Sequence, residues 1–372
     1  MNRPAPTVST TTEEPESLLP GDMRPVERMQ RAIRRPSERF RREERQVKRE
    51  KVAVRLANAA AHLVARMPRP LRDVAIDVIG AIWIRCTPHY RDNVMANIGQ
   101  VLGPEVSRAE LEQIARRVFR LSADNFAELL RMRVASSARV VAEVPSVASD
   151  LEIFHAARAT GKGTVVVTGH IGAFDLVGLT IGASGIPLTV MTGRTTSRML
   201  FDAVSWLRQG HNVRVVEPTP SGVKDVIKAL RRGEVAGFVS DYDFFHNGVP
   251  VTLFGRETTL PPGAIRIARD TGSIVVPMFA YRENGNHRLR VVESFSVPRT
   301  HDVDADVAGG MAVLTSRLEE GISANPDQWV LFQQAWPSAR GAHSPAAPGG
   351  QPLGSNLMKR DDVLLPPNDA TS

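Results

Sequence analysis

The chain predicts an α/β fold: a mainly parallel central sheet flanked by helices, with an N-terminal helical region that associates with a membrane, and disordered tails. Two observations carry this expectation. From about Val144 onward, short runs rich in β-branched residues alternate with segments of helical periodicity, as in repeated strand–helix units whose crossovers bury a parallel sheet on both faces. The clearest run, Val165 to Val167, breaks at Thr168-Gly169, presents His170, and resumes at Asp175 in a helix-like pattern. That edge, where parallel strands end, is where open α/β sheets bind ligands.

Residues 1–50 read as a disordered, charged extension and 51–145 as the helical, membrane-facing region. The α/β core spans 146–338, and 339–372, rich in Pro, Gly, Ala and Ser, read as a second disordered tail. The net charge of +7 implies an anionic partner surface. It is concentrated in one arm, because residues 24–55 carry thirteen Arg or Lys against five Glu. With a single aromatic in residues 24–50, Phe40, and no reading module behind it, the arm is a poor nucleic-acid contact, and an anionic membrane surface is the expected partner. A solvated charged helix is the alternative for the same residues.

Residues 51–68 are helix-forming and apolar around much of their circumference. After Pro68-Arg69-Pro70, an apolar run from Val74 to Ile84 is interrupted by Asp77. It falls well short of the roughly 20 residues needed to cross a bilayer. Such a segment is either a buried helix or one lying in the lipid interface, and Trp83 with Arg85 at its end fits the second. Residues 91–135 predict two or three further helices, and Ser107 with Glu110 has capping-box spacing.

Within the core, strands are expected at Thr164–Thr168, Leu188–Thr192, Val213–Val216, Val235–Ser240, Ile274–Phe279 and Leu289–Val292. Helices are expected at Ile171–Ala183, Thr196–Gln209, Gly222–Arg231, Gly263–Asp270 and Asp306–Ala324. The Glu283–Asn286 loop predicts an antiparallel hairpin. The long segment Asp241–Gly263 shows no clear regular structure, and its Phe244, Phe245, Val249, Val251, Leu253 and Phe254 either line an apolar tunnel or close the core.

His170 and Asp175 are five apart, and on one continuous helix they would be rotated by roughly 140° from each other. They meet only if His170 sits on the turn and Asp175 in the first helical turn. The carboxylate would then hold one ring nitrogen protonated while the other faces a substrate as general base. A strand-end histidine satisfied by its surroundings is the plainer alternative. Arg194 and Arg208 offer cations near the same edge. Asp241 and Asp243 can bind a metal, hydrogen-bond substrate hydroxyls, or serve as ordinary loop carboxylates. The lone Cys86 excludes an intramolecular disulfide and a multi-cysteine zinc site, and no GxGxxG, P-loop or Gly-x-Ser-x-Gly elbow is present.

The motif His170-Ile-Gly-Ala-Phe-Asp175 resembles the His-x4-Asp/Glu motif of glycerophospholipid and lipid A acyltransferases. Further blocks follow in order: Tyr90–Ile98, Arg194 after the second strand, Ser240-Asp-Tyr-Asp243, Leu253–Gly263, and Asn325-Pro-Asp-Gln-Trp329. Together they resemble the late lipid A acyltransferases and, more closely, the actinobacterial phosphatidylinositol mannoside acyltransferases. The closer likeness rests on Asp175, on Arg208 in Trp-Leu-Arg-Gln-Gly, and on the Gln328-Trp and Gln-Gln-Ala-Trp336 ending. The resemblance implies a peripheral enzyme at the cytoplasmic face of the cell membrane. It would move an acyl group from acyl-CoA or acyl carrier protein to a hydroxyl of a glycolipid, with no metal and no cofactor. It implies His170 as general base, Asp175 as its orienting partner, and Arg194, Arg208, Asp241 and Asp243 as supporting or substrate-contacting residues. Backbone N–H groups of the Gly169–Gly172 turn are the expected oxyanion donors. A non-catalytic lipid-binding or scaffold protein with the same fold is the alternative function.

Overall fold

The computed structural model describes residues 38–144, 151–193 and 198–337. The expectations for Arg194, for the tail beyond residue 338 and for most of the basic arm lie outside the described residues. The chain divides into two units, Met1–Val52 and Ala53–Ser372. Of the first, the described part is the start of helix α1 (Glu38–Arg66).

The second unit begins with the rest of α1, whose Ala53, Ala57 and Ala61 form a buried stripe at helical spacing. Next come α2 (Arg69–Cys86), α3 (Pro88–Leu102), α4 (Arg108–Arg133), α5 (Ser137–Ala142) and α6 (Glu152–Ala159). The Ser107 hydroxyl accepts from the Glu110 N–H at the start of α4, as the capping-box spacing predicted. The apolar run of α2 is buried along one face only. Ile76, Gly80 and Ile84 are buried, and a Cβ on Gly80 would stand 3.0 Å from the Arg120 Cα of α4. Leu71, Val74, Val78, Ile79 and Ile82 on the other face are each more than half exposed. Trp83 is not an interfacial anchor, because its ring stacks on Phe332 at 4.9 Å and meets Phe119 edge-on at 5.3 Å.

The core strands and helices alternate as predicted. They are β1 (Thr164–Thr168), α7 (Phe174–Ala183), β2 (Leu188–Met191), α8 (Arg198–Arg208), β3 (Val213–Val216), α9 (Pro220–Arg231) and β4 (Val235–Val239). The stretch read as irregular contains a hairpin instead, β5 (Val249–Leu253) with β6 (Arg256–Leu260). Its two-residue turn, Phe254-Gly255, lies at φ 48° and 71°, the left-handed pair of a tight hairpin turn. Few sequences place Phe there, and the tip is fixed from outside: the Phe254 N–H donates to Glu319, and its carbonyl accepts from Gln100 at 2.9 Å. Then follow α10 (Gly263–Thr271), β7 (Ile274–Glu283), β8 (Asn286–Val291), β9 (Phe295–Ser296) and α11 (Val303–Ala324).

Among the described residues the main sheet has seven strands, ordered β3-β2-β4-β1-β7-β8, with β9 also pairing β7. The pairs among β1, β2, β3, β4 and β7 are parallel, and β8 and β9 run antiparallel to β7. The β7–β8 turn at Asn284-Gly285 is the predicted hairpin. Alternation across the sheet makes two cores. Val165 and Val167 of β1 face one, with Ile265, Leu314 and Phe119. Val166 faces the other, with Leu176, Ile181 and Leu207. β1 therefore lies in the middle of the sheet, and its C-terminal end opens between β4 and β7.

Candidate active site

The parallel pairing of β1 with β4 decides which side chain His170 meets. Thr168 stands opposite Val239, an offset of 71 positions, and the Ser240 N–H continues the ladder to the Thr168 carbonyl at 2.8 Å. Carried two residues past the strand ends, the same register places His170 opposite Asp241. The His170 Nδ1 lies 2.7 Å from Asp241 Oδ1, and the His170 backbone N–H donates to Asp241 Oδ2 at 2.8 Å. An ionised carboxylate only accepts, so Nδ1 carries the ring proton and Nε2 keeps its lone pair. Asp241 is buried, while the His170 side chain is one-third exposed, 33%, so the dyad has a sheltered end and an open end. Burial alone would push the Asp241 carboxyl up. The His170 ring, the Trp329 indole N–H at 2.8 Å and the His170 backbone N–H outweigh it and hold the group below the ordinary carboxylate value.

This geometry corrects the expected contact between Asp175 and the His170 ring. Asp175 does lie in the first turn of α7, but it accepts from Arg208 Nε at 2.6 Å and Nη2 at 3.3 Å. The partner of the His170 ring is Asp241. Arg208, at the end of α8, stands 5.8 Å from the Phe174 ring, whose other neighbour is the His170 ring at 5.2 Å. His170, Phe174 and the Asp175–Arg208 pair thus form one contiguous group at the sheet edge. Asp243 serves the loop: it accepts from the Asn247 N–H, the Gly248 N–H and the Thr259 hydroxyl. A Cβ on Gly248 would sit 2.8 Å from Asp243 Oδ2. The two aspartates of Asp241-x-Asp243 therefore do separate work, and neither the metal nor the substrate-hydroxyl reading of Asp243 gains support from its contacts.

Three of the four N–H groups expected as oxyanion donors are engaged within the protein. The His170 N–H goes to Asp241, the Ile171 N–H to the Gly169 carbonyl at 2.8 Å, and the Gly172 N–H to the Gln328 carbonyl at 2.8 Å. Gly172 has φ 52°, and a Cβ there would come within 2.0 Å of the Ala280 carbonyl oxygen of β7, so glycine is required. On the other side, Asn125 of α4 donates to the Gly172 carbonyl at 2.6 Å. Beside Asn125, Arg282 of β7 binds Asp124 and Glu128, and Glu128 also meets His287. Burial pushes the Asp124 carboxyl up, with Arg282 offsetting only part of it. In Glu128, His287 and Arg282 together overcome burial and lower it.

Three contributors were not assigned roles from sequence: Trp329, Gln328 and Asn125. The first two stood in a recognised motif, but their action depends on an isolated antiparallel bridge between Ile171 and Trp329. The apolar residues after Asp243 divide as well. Leu253 is buried, Phe244 and Phe245 are exposed, and Val249 and Val251 line a groove of about 570 Å³ against Val307 and Met311 of α11. Neither His170 nor Asp241 lines that groove.

A phosphatidylinositol mannoside acyltransferase of Mycobacterium tuberculosis is 25% identical over 213 residues, 56% of this chain and 66% of the relative. The chain thus spans just under two thirds of that protein's length. The Mycolicibacterium smegmatis protein of the same name is 25% identical over 251 residues, 63% of this chain and 80% of its own length. A lipid A biosynthesis acyltransferase of Haemophilus influenzae is 24% identical over 280 residues, 73% of this chain and 83% of the relative. The family model for bacterial lipid A biosynthesis acyltransferases matches residues 41–338, a stretch that takes in the whole sheet, the His170–Asp241 pair and Trp329, and the chain belongs to that family.

Proposed function

We propose that the protein transfers a fatty acyl group from a thioester, acyl-CoA or acyl carrier protein, to a hydroxyl of a membrane glycolipid such as a phosphatidylinositol mannoside. The observation that carries this reading is the buried Asp241 holding Nδ1 of a half-open histidine. An alcohol is a poor nucleophile at neutral pH, and a positioned imidazole that takes its proton contributes roughly 10²–10⁴-fold. His170 Nε2 accepts the hydroxyl proton as the oxygen attacks the thioester carbonyl. Asp241 stabilises the imidazolium, and the tetrahedral intermediate collapses as the C–S bond breaks and the thiolate takes the proton from Nε2. With the His170, Ile171 and Gly172 N–H groups engaged, the developing oxyanion is assigned to the Phe174 and Asp175 N–H groups that open α7, which no side chain caps. The Asp175–Arg208 pair leaves the remaining guanidinium edge for a substrate anion, and Arg194 is retained as a substrate contact from the sequence motif.

The same reading places the enzyme peripherally on the cytoplasmic face of the cell membrane. No described helix is long and apolar enough to cross a bilayer. Leu56 and Leu63 of α1, with Leu71, Val74, Val78, Ile79 and Ile82 of α2, are all more than half exposed, and Arg55, Arg66, Arg69 and Arg85 are exposed beside them. An apolar stripe with basic flanks suits insertion to headgroup depth in an anionic leaflet.

The test is incubation with a long-chain acyl-CoA and a glycolipid extract, following release of free CoA thiol and the mass of the acylated lipid. Native protein releases thiol in step with acylated product, and His170→Ala, with an unchanged circular dichroism spectrum, does not. Lipid binding without turnover in the native protein would instead identify a non-catalytic member of the fold.

A further inference from the structure

We infer that Trp329 is a positioning residue of the dyad: its indole N–H fixes the Asp241 carboxylate and thereby sets how strongly His170 Nε2 attracts a proton. The inference rests on the reading of His170 as the general base. Asp241 receives three donors, and they are divided unequally. Oδ1 takes the ring Nδ1–H alone, whereas Oδ2 takes both the His170 backbone N–H and the Trp329 Nε1–H. The indole therefore draws carboxylate charge away from the oxygen that faces the ring.

The placement of the indole is over-determined. The chain on either side of Trp329 is tied to the chain on either side of Ile171: the Val330 N–H donates to the His170 carbonyl at 2.7 Å, and the Gly172 N–H donates to the Gln328 carbonyl at 2.8 Å. Gln328 is held in turn by β7, its side chain accepting from the Arg282 N–H and donating to the Arg282 carbonyl. Further along, Asn93 and Asn97 of α3 bind the carbonyls of Phe332, Leu331 and Gln333, and Asn97 also accepts from the Ala335 N–H. The two asparagines come from the Tyr90–Ile98 motif, so two distant sequence blocks meet to seat one indole. Trp329 is 1% exposed, and a buried indole N–H needs an acceptor. The acceptor it has is the carboxylate that orients the base.

A tryptophan that merely fills the core would affect stability and leave the basicity of His170 untouched. The discriminating substitution replaces Trp329 with β-(3-benzothienyl)alanine by site-specific incorporation, which keeps the bicyclic shape and exchanges the N–H for sulfur. Trp329→Phe serves as a second variant that also lacks the donor. Two readouts are taken on the full chain: the pH dependence of kcat/KM, and the ring titration of His170 by NMR with ¹³C-labelled histidine, assigned with His170→Gln. With the donor gone, negative charge concentrates toward the ring. The acid limb and the ring titration then both move to higher pH, by about 0.5 to 1 unit, and kcat changes more than KM. The ring titration needs no turnover, so it tests the inference even if the proposed reaction is wrong. An unmoved ring titration in a variant that keeps the native far-ultraviolet circular dichroism and a cooperative melting transition would overturn it.

Discussion

Replacing Asp241 by Asn tests the dyad directly, because the amide has one preferred way to sit. Oδ2 faces two donors, the His170 backbone N–H and the Trp329 indole, while Oδ1 faces one. Turning the NH₂ group toward the two donors would leave both unpaired in a buried site, at about 1–3 kcal/mol each. The amide oxygen therefore takes that side, and the NH₂ group faces His170 Nδ1. A ring nitrogen that accepts from an amide carries no proton, so the tautomer reverses and the hydrogen moves to Nε2. The lone pair needed to deprotonate an alcohol is then gone. Wrong-tautomer losses run on the order of 10⁴-fold, about 5.4 kcal/mol of transition-state stabilisation. Asp175→Asn is the comparison. It weakens an ion pair with Arg208 whose partners are 20% and 22% exposed, and solvent screening holds its cost to about 1 kcal/mol. The expected result is a thousandfold or greater fall in thiol release for Asp241→Asn and about a fivefold fall for Asp175→Asn, with both proteins folded. The reverse ranking would refute the assignment of Asp241 as the orienting carboxylate.

Three further outcomes follow from the same contacts. Gly172→Ala forces a Cβ to within 2.0 Å of the Ala280 carbonyl at φ 52° and should destabilise by about 2–4 kcal/mol, read as a lower denaturant midpoint with unchanged slope. Because Asp241 is held below its ordinary value of 3.8, its ionised form stabilises the fold above that pH and the contribution is lost as pH falls through the depressed value. The melting-temperature gap between native protein and Asp241→Asn should accordingly narrow below pH 3.8; a constant gap would deny the depression. Val78→Glu with Ile82→Glu, both on the exposed face of α2, should cut partitioning onto anionic vesicles at least about tenfold while leaving the melting temperature unchanged. Equal partitioning would remove α2 from the lipid contact.

The strands and helices were legible because their causes are local. Thr164–Thr168 and Val213–Val216 end where their β-branched runs end, and Asn284-Gly285 turns because those residues tolerate left-handed backbone. The hairpin Val249–Leu253 with Arg256–Leu260 was not legible, since it carries Pro250 and turns at Phe254-Gly255, a pair outside the usual turn chemistry. Its tip is held by Glu319 and Gln100, from elements far away in sequence. His170 was identified from the strand end on which it sits, and Asp241 from the end of another. Their pairing was misassigned for a definite reason. Asp175 is near in sequence, whereas Asp241 is near only because β4 inserts between β2 and β1, and strand order is a property of the folded sheet.

That insertion explains how a partly exposed histidine is held in one orientation in this fold. β4 brings Asp241 to one side of the β1 end, while β7 approaches Gly172 on the other so closely that only glycine fits. The chain after α11 returns beneath both and seats Trp329 on the carboxylate. Each constraint comes from a different part of the sequence, and each acts on the backbone of residues 169–172 or on Asp241 rather than on the imidazole edge that faces solvent. Among the described residues, the ring is held through its Nδ1 and its own main chain, and none is bonded to Nε2. A general base for an external hydroxyl needs this division, since any protein donor at Nε2 would compete with the substrate.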